Sequence, residues 1–235
     1  MQSVQALIDD NELYNAHQQL MSAIRRKDKK GLKAEALKLC LFGIEELGRK
    51  KSDPLEIGKY ALKMQCDEDF VIQSLFKWPP EFFAEWRTLC LKDFQSPAVH
   101  GAITKLCIAY GLYPLAKFTI IAGPVDGLAE LVGGIPQPEK ELVVYYAAIS
   151  ALSKKRIKMA RCLLEEAENK NLLQAITQCV QCEVKSKRDA FLLIRELVER
   201  EFGRYEMKSA LNELGGVFGV QQGNPLTSLL QGLTG

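Results

Sequence analysis

The chain has 235 residues, 47% of them hydrophobic and 26% charged, with a formal net charge of +2 at neutral pH. That supplies apolar material for a core or for an elongated array of repeats, and too little net charge for a whole-molecule field that gathers nucleic acid. No apolar run approaches the ~20 residues that span a bilayer, and Met1–Asp10 holds neither the basic nor the apolar region of a secretory signal.

Asn11 is placed to cap a first helix through Leu13, Ala16, Leu20 and Ile24, apolar at spacings of three and four. Asp28–Gly31 breaks it. Ala36, Leu37, Cys40, Ile44 and Leu47 form one face of the next helix, which closes at Gly48 and Arg49-Lys50-Lys51, where the dipole favours cations. Ser52 or Asp53, with Pro54 behind it, opens a third through Ile57 and Ala61. Asp67 opens a fourth through Phe70, Val71 and Leu75, and Pro79-Pro80 stops it. A fifth from Glu81 carries Phe83, Trp86 and Cys90. Ser96-Pro97 caps a sixth through Val99, Ile103 and Leu106, which Gly111 ends. Tyr113-Pro114 opens a seventh, and Val125–Val132 forms a short eighth.

Residues 133–138, Gly-Gly-Ile-Pro-Gln-Pro, are the clearest break in the chain. Glu139 restarts the pattern through Val143, Tyr146, Ile149 and Leu152. Helices over 157–167, 172–184, 190–202 and 205–218 follow, and the tail 221–235 is leucine-rich. Phe118–Ile121 and Val143–Tyr146 have strand-like composition but lie within longer helical periodicities. The pairs recur every ~25–40 residues, as in tetratricopeptide-like solenoids, although the strict consensus is missing. The expectation is an all-α α-solenoid, a curved right-handed stack of helix pairs. It divides into repeats over 1–132, repeats over 139–220 and an apolar tail over 221–235.

The chemistry-bearing residues are sparse. Seven cysteines, an odd number, sit mostly on apolar helix faces and read as small buried residues of a reducing compartment, the cytosol. Cys179 and Cys182 form a lone C-x-x-C in mid-helix with no second ligand pair, so burial is favoured over zinc or redox work. His17 and His100 lack metal-binding spacing, and no phosphate-binding or nucleophile motif occurs. No catalytic residue, cofactor or metal ligand is expected. Arg25-Arg26-Lys27 with Lys29, Lys30 and Lys33 makes a basic hairpin tip, either solvated helix ends or a docking site for an acidic protein surface. Lys154-Lys155-Arg156 with Lys158 and Arg161 forms a second cluster with the same two readings, of which solvated helix ends is favoured over a docking site for an acidic protein surface. Neither cluster has the interleaved aromatics of a base-stacking platform.

The closing helices carry Leu193, Leu197, Phe202, Tyr205, Leu211, Leu214, Phe218 and Val220, more apolar surface than a terminal repeat shows to water. Leu193, Leu197, Leu211 and Leu214 are expected to face the core. Phe202, Tyr205, Phe218 and Val220 are expected to line a binding groove.

Several segments, in order, resemble the Golgi to ER traffic protein 4 family, the cytosolic scaffold subunit of tail-anchored-protein targeting. Residues 14–18, Tyr-Asn-Ala-His-Gln, resemble its first-hairpin signature, and Ala34-Glu35-Ala36 its next helix opening. His100 and Ala116–Phe118 fall where the family has a long helix and an A/S-R-x-H-F pattern. Residues 210–220 resemble its closing L-x-x-I-G-x-x-x-F-G-V, and Pro225–Leu229 a tail motif of some members. Met21 stands where the family carries a further arginine, and the chain is short for the family. The resemblance implies a non-enzymatic α-solenoid that bridges two proteins, with no nucleic acid and no membrane insertion. The N-terminal half would dock a targeting ATPase through His17, Gln18, Arg26, Lys29, Lys30 and Glu56, and the C-terminal half would hold a ubiquitin-like adaptor. The alternatives are a helical-repeat subunit of a proteasome-lid-like or coat assembly, or a helical enzyme with an unrecognised site.

Overall fold

Phe118–Ile121 and Val143–Tyr146, the two stretches with strand-like composition, are helical. The computed structural model describes residues 2–168, 187–202 and 204–218. Among these the chain forms thirteen α-helices and two short 3-10 turns, and no strand. The helices are α1 Gln2–Asp9, α2 Leu13–Lys29, α3 Lys33–Arg49, α4 Leu55–Lys63, α5 Glu68–Lys77, α6 Phe83–Asp93, α7 Pro97–Ala109, α8 Tyr113–Thr119, α9 Leu128–Gly133, α10 Glu139–Ser153, α11 Ile157–Glu165, α12 Lys187–Phe202 and α13 Arg204–Val217. The helix read over 172–184, with Cys179 and Cys182, lies outside the described residues, as do Val220, the tail 221–235 and the Tyr205 side chain.

A single turn design joins many of these helices. Asn11, Gly31, Lys51, Gln65 and Lys155 have φ between 56° and 74°, the left-handed region. The amide after each reaches back five residues, as in Glu12 N to Leu7 O at 2.8 Å and Arg156 N to Ala151 O at 2.8 Å. This closes the orphaned carbonyls of the helix end. Asn11 therefore ends α1 and does not cap α2. Asparagine tolerates the left-handed setting, and Glu12 stands at the N-cap of α2 without a side-chain bond. α1 itself was not expected. Its Val4 and Ile8, one helical step apart, are buried where α1 packs on α2. The expected caps at Asp67 and Ser96 form, accepting from Phe70 N at 2.8 Å and Val99 N at 3.2 Å. Asp53 Oδ1 accepts from Leu55 N at 2.9 Å, one residue later than the expected start of α4.

The chain divides into two compact units, Met1–Tyr110 and Gly111–Gly235. In the first, α2 packs on α3, α3 on α4 and α5, and α5 on α7. Trp78 and Trp86 stack at 4.4 Å between centroids in its core. Their indole N–H groups donate to Phe82 O and Ser74 Oγ, so both rings are tethered. In the second unit α10 is the central element. Its nine consecutive residues from Val143 to Ala151 are buried, the mark of a helix covered on all sides. α8, α11 and α13 cover it. The 133–138 break thus lies inside the second unit, because α8 and α9 before it pack on α10 and α11 after it.

Candidate functional site

In the first unit the basic hairpin tip separates into neutralised and free cations. Lys27 bonds Glu35, and this hydrogen bond holds the Glu35 carboxyl below its ordinary range. Arg25 reaches Glu56 at 3.3 Å and lies 5.9 Å from the centre of the Tyr60 ring. Tyr60 donates its hydroxyl to Asp28 at 2.8 Å, which raises the phenol above its usual range. Arg26, Lys29 and Lys30 are exposed and meet no carboxylate among the described residues. The Arg26 Nε instead donates to Ser22 O, one turn back on α2.

The six residues expected to dock the ATPase do not form one cluster. His17 Nε2 lies 3.8 Å from Glu56 on the side of α2 that faces α4, with its side chain 15% exposed. Gln18 and Arg26 line a groove of about 330 Å³ between α1 and α2, with Ser3, Val4 and Ser22. At 100° per residue His17 and Arg26 sit about 180° apart round α2. Lys29 and Lys30 stand at its exposed C-terminal end. The residue that ties Glu56 to α2 most closely is Arg25. It was legible as part of the charge run, and its place two turns after His17 was the signal.

In the second unit Phe202 and Phe218 are both partly buried against the core. The Phe202 ring lies 4.9 Å from that of Tyr145, and the Phe218 ring 6.4 Å from that of Phe191. The expected inward set needs correction at α12. Phe191, Ile194 and Val198 are buried there, while Leu193 is 43% exposed and Leu197 half-buried. The buried three follow one helical stripe, and Leu193 falls off it. Leu211 and Leu214 on α13 are buried as expected. Among the described side chains of the closing helices, the exposed large apolar ones are therefore Leu193 and Val217. Tyr205 falls in the first turn of α13.

Four of the seven cysteines, Cys40, Cys66, Cys90 and Cys107, are buried. Burial pushes Cys40 up to about 12 and Cys66 and Cys107 up to about 11. Cys90 moves the same way for the same reason. As neutral thiols they pack and do not react. Among the described residues no group of three or more metal-ligating side chains converges.

No family model matches the sequence, and no curated protein matches it either. The backbone does have a counterpart. The crystal structure of C. therm. Get4 superposes with a TM-score of 0.71, covering 100% of this chain and 94% of that one, at 16% sequence identity. The chain has the fold of Get4. The Get4 likeness runs through both compact units, and it bears out the all-α solenoid class read from the sequence. Within this Get4 fold the first unit carries the basic hairpin with His17, Gln18, Arg26, Lys29, Lys30 and Glu56, and the second carries Phe202 and Phe218. Among the described residues no helix is long and apolar enough to cross a membrane.

Proposed function

We propose that this protein is a non-enzymatic cytosolic scaffold of tail-anchored-protein targeting. In this reading the first unit docks a targeting ATPase and the second holds a ubiquitin-like adaptor. The observation that supports it is the full-length fold likeness to Get4, carried by a chain whose segments at 14–18 and 210–220 resemble the Golgi to ER traffic protein 4 family in the same order. The free cations Arg26, Lys29 and Lys30 suit an acidic docking surface, since exposed charge acts mainly on encounter rate and orientation.

The test is co-purification from the native cell followed by reconstitution. A P-loop ATPase and a ubiquitin-like protein are expected in the eluate. Arg26→Glu with Lys29→Glu should release the ATPase and leave the adaptor bound. Recovery of proteasome-lid or coat subunits in their place overturns the proposal.

A further inference from the structure

The loop between α10 and α11, in the second unit, concentrates lysines that meet no carboxylate among the described residues. Lys154, Lys155 and Lys158 are exposed. Arg156 is committed elsewhere without being neutralised. Its guanidinium donates to the carbonyl oxygens of Ile121 and, at 3.1 Å, Gly123. Glu213 of α13 reaches the loop, but it accepts from Ser153 Oγ at 3.3 Å. Arg161 on the next turn is paired with Glu165. Elsewhere Arg25, Lys27, Lys59, Lys77 and Lys140 each meet a carboxylate, whereas this loop, like the Arg26, Lys29 and Lys30 tip of the first unit, keeps its lysines exposed.

Three further observations make this more than a solvated helix end. Ile157 stands among these cations with 48% of its surface exposed, an apolar contact point inside a basic rim. The loop is held in one shape, by the Arg156 clamp on Ile121 and Gly123 and by the bonds of Lys155 N to Leu152 O and Arg156 N to Ala151 O. A ligand would therefore bind without the entropy cost of ordering it. Arg156 also provides no side-chain cap to α11, so the first-turn amides add partial positive charge beside Lys158.

We propose that the α10–α11 loop docks an acidic linear segment of a partner protein, with carboxylates against Lys154, Lys155 and Lys158 and an apolar side chain on Ile157. Charge complementarity selects the acid-rich chain. A membrane is the poorer occupant, because a few lysines are worth only about 1 kcal/mol each at an anionic surface and stable attachment needs a second anchor.

The probe is a fluorescein-labelled peptide of alternating glutamate and aspartate with one central leucine, titrated against the full chain by fluorescence anisotropy at low and physiological salt. Binding should weaken as salt rises. Lys154→Glu with Lys158→Glu should weaken it about tenfold by removing two attractions and adding two repulsions. Ile157→Ala should weaken it a few-fold, and both variants should keep the wild-type circular dichroism because these side chains lie at exposed positions outside the core. An all-glutamine peptide should not bind. Equal binding by wild type and the double-lysine variant overturns the proposal. So does co-sedimentation with phosphatidylserine vesicles in the absence of peptide binding.

Discussion

Arg25 and Glu56 stand 31 residues apart in sequence and meet at 3.3 Å across α2 and α4. The pair withdraws one cation from the hairpin tip and leaves its neighbour Arg26 free. Adjacent arginines in one charge run therefore have different work. Both side chains of the pair are more than half exposed, so Glu56→Ala should change stability by only about 0.2–1 kcal/mol in urea denaturation. Arg26→Glu should leave stability unchanged and, if the first unit docks a targeting ATPase as proposed, slow that association at low salt, with the gap closing at high salt. Stopped-flow kinetics at two ionic strengths reads both effects.

Gly58 is a site where one methyl group should be felt. A Cβ there would come within 2.7 Å of Trp78 Cη2 and of Trp86 Cζ3. The rings cannot swing aside freely, since they stack on each other and each is tethered through its N–H. Alanine's better helix propensity is worth about 1 kcal/mol. Overpacking against the two rings costs about 1–3 kcal/mol, so Gly58→Ala should lower the melting temperature.

Glu45 joins α3 to α5 by bonding Lys77 and also meets Arg49 on its own helix. The Lys77 hydrogen bond lowers its pKa from an ordinary 4.5. A carboxyl whose folded pKa lies below its unfolded one stabilises fully above the unfolded value and loses that stabilisation as pH falls through the folded value. The pair is partly exposed, so the effect is about 0.5 kcal/mol. Urea midpoints followed from about pH 6 down to about pH 3 should fall less steeply in Glu45→Gln than in wild type.

The buried thiols predict a labelling order. Brief treatment of the native protein with iodoacetamide at mildly alkaline pH, followed by peptide mapping, should modify Cys162, which is partly exposed, before Cys40, Cys66, Cys90 and Cys107. Denaturation should abolish the order.

Phe202 and Leu193 should behave as opposites. Phe202→Ala removes a ring that packs on Tyr145 and should cost about 1–3 kcal/mol of stability. Leu193→Ser, at an exposed position, should stay within about 0.5 kcal/mol of wild type. If the adaptor covers this end of the second unit, Leu193→Ser lowers adaptor binding in calorimetry without a change in melting temperature. Loss of binding by Phe202→Ala counts only if the folded fraction is matched.

The helices were legible wherever polar residues mark the outer face, and the caps at Asp67 and Ser96 were legible because their side chains act locally. α1 was not, since its inward residues Val4 and Ile8 announce little until α2 lies beside them. The face of α12 was misjudged for a related reason. In the run from Phe191 to Ile194 every residue is apolar, so periodicity selects no side and the packing partners decide. The basic hairpin was visible as charge. Which cation is free depends on Glu35 and Glu56, which are distant in sequence, and no local pattern shows that pairing.

The recurring helix corner bears on how far such a chain can drift. Glu12, Leu32, Leu112 and Arg156 each follow a left-handed residue and share nearly the same backbone, with φ from −83° to −89° and ψ from 49° to 62°. The left-handed positions before them hold asparagine, glycine, glycine and lysine. A bend set by main-chain bonds asks little of the letters that spell it. Mutation can rewrite those letters while the path of the chain survives, and a course shared with Get4 at 16% identity is what that freedom would leave behind.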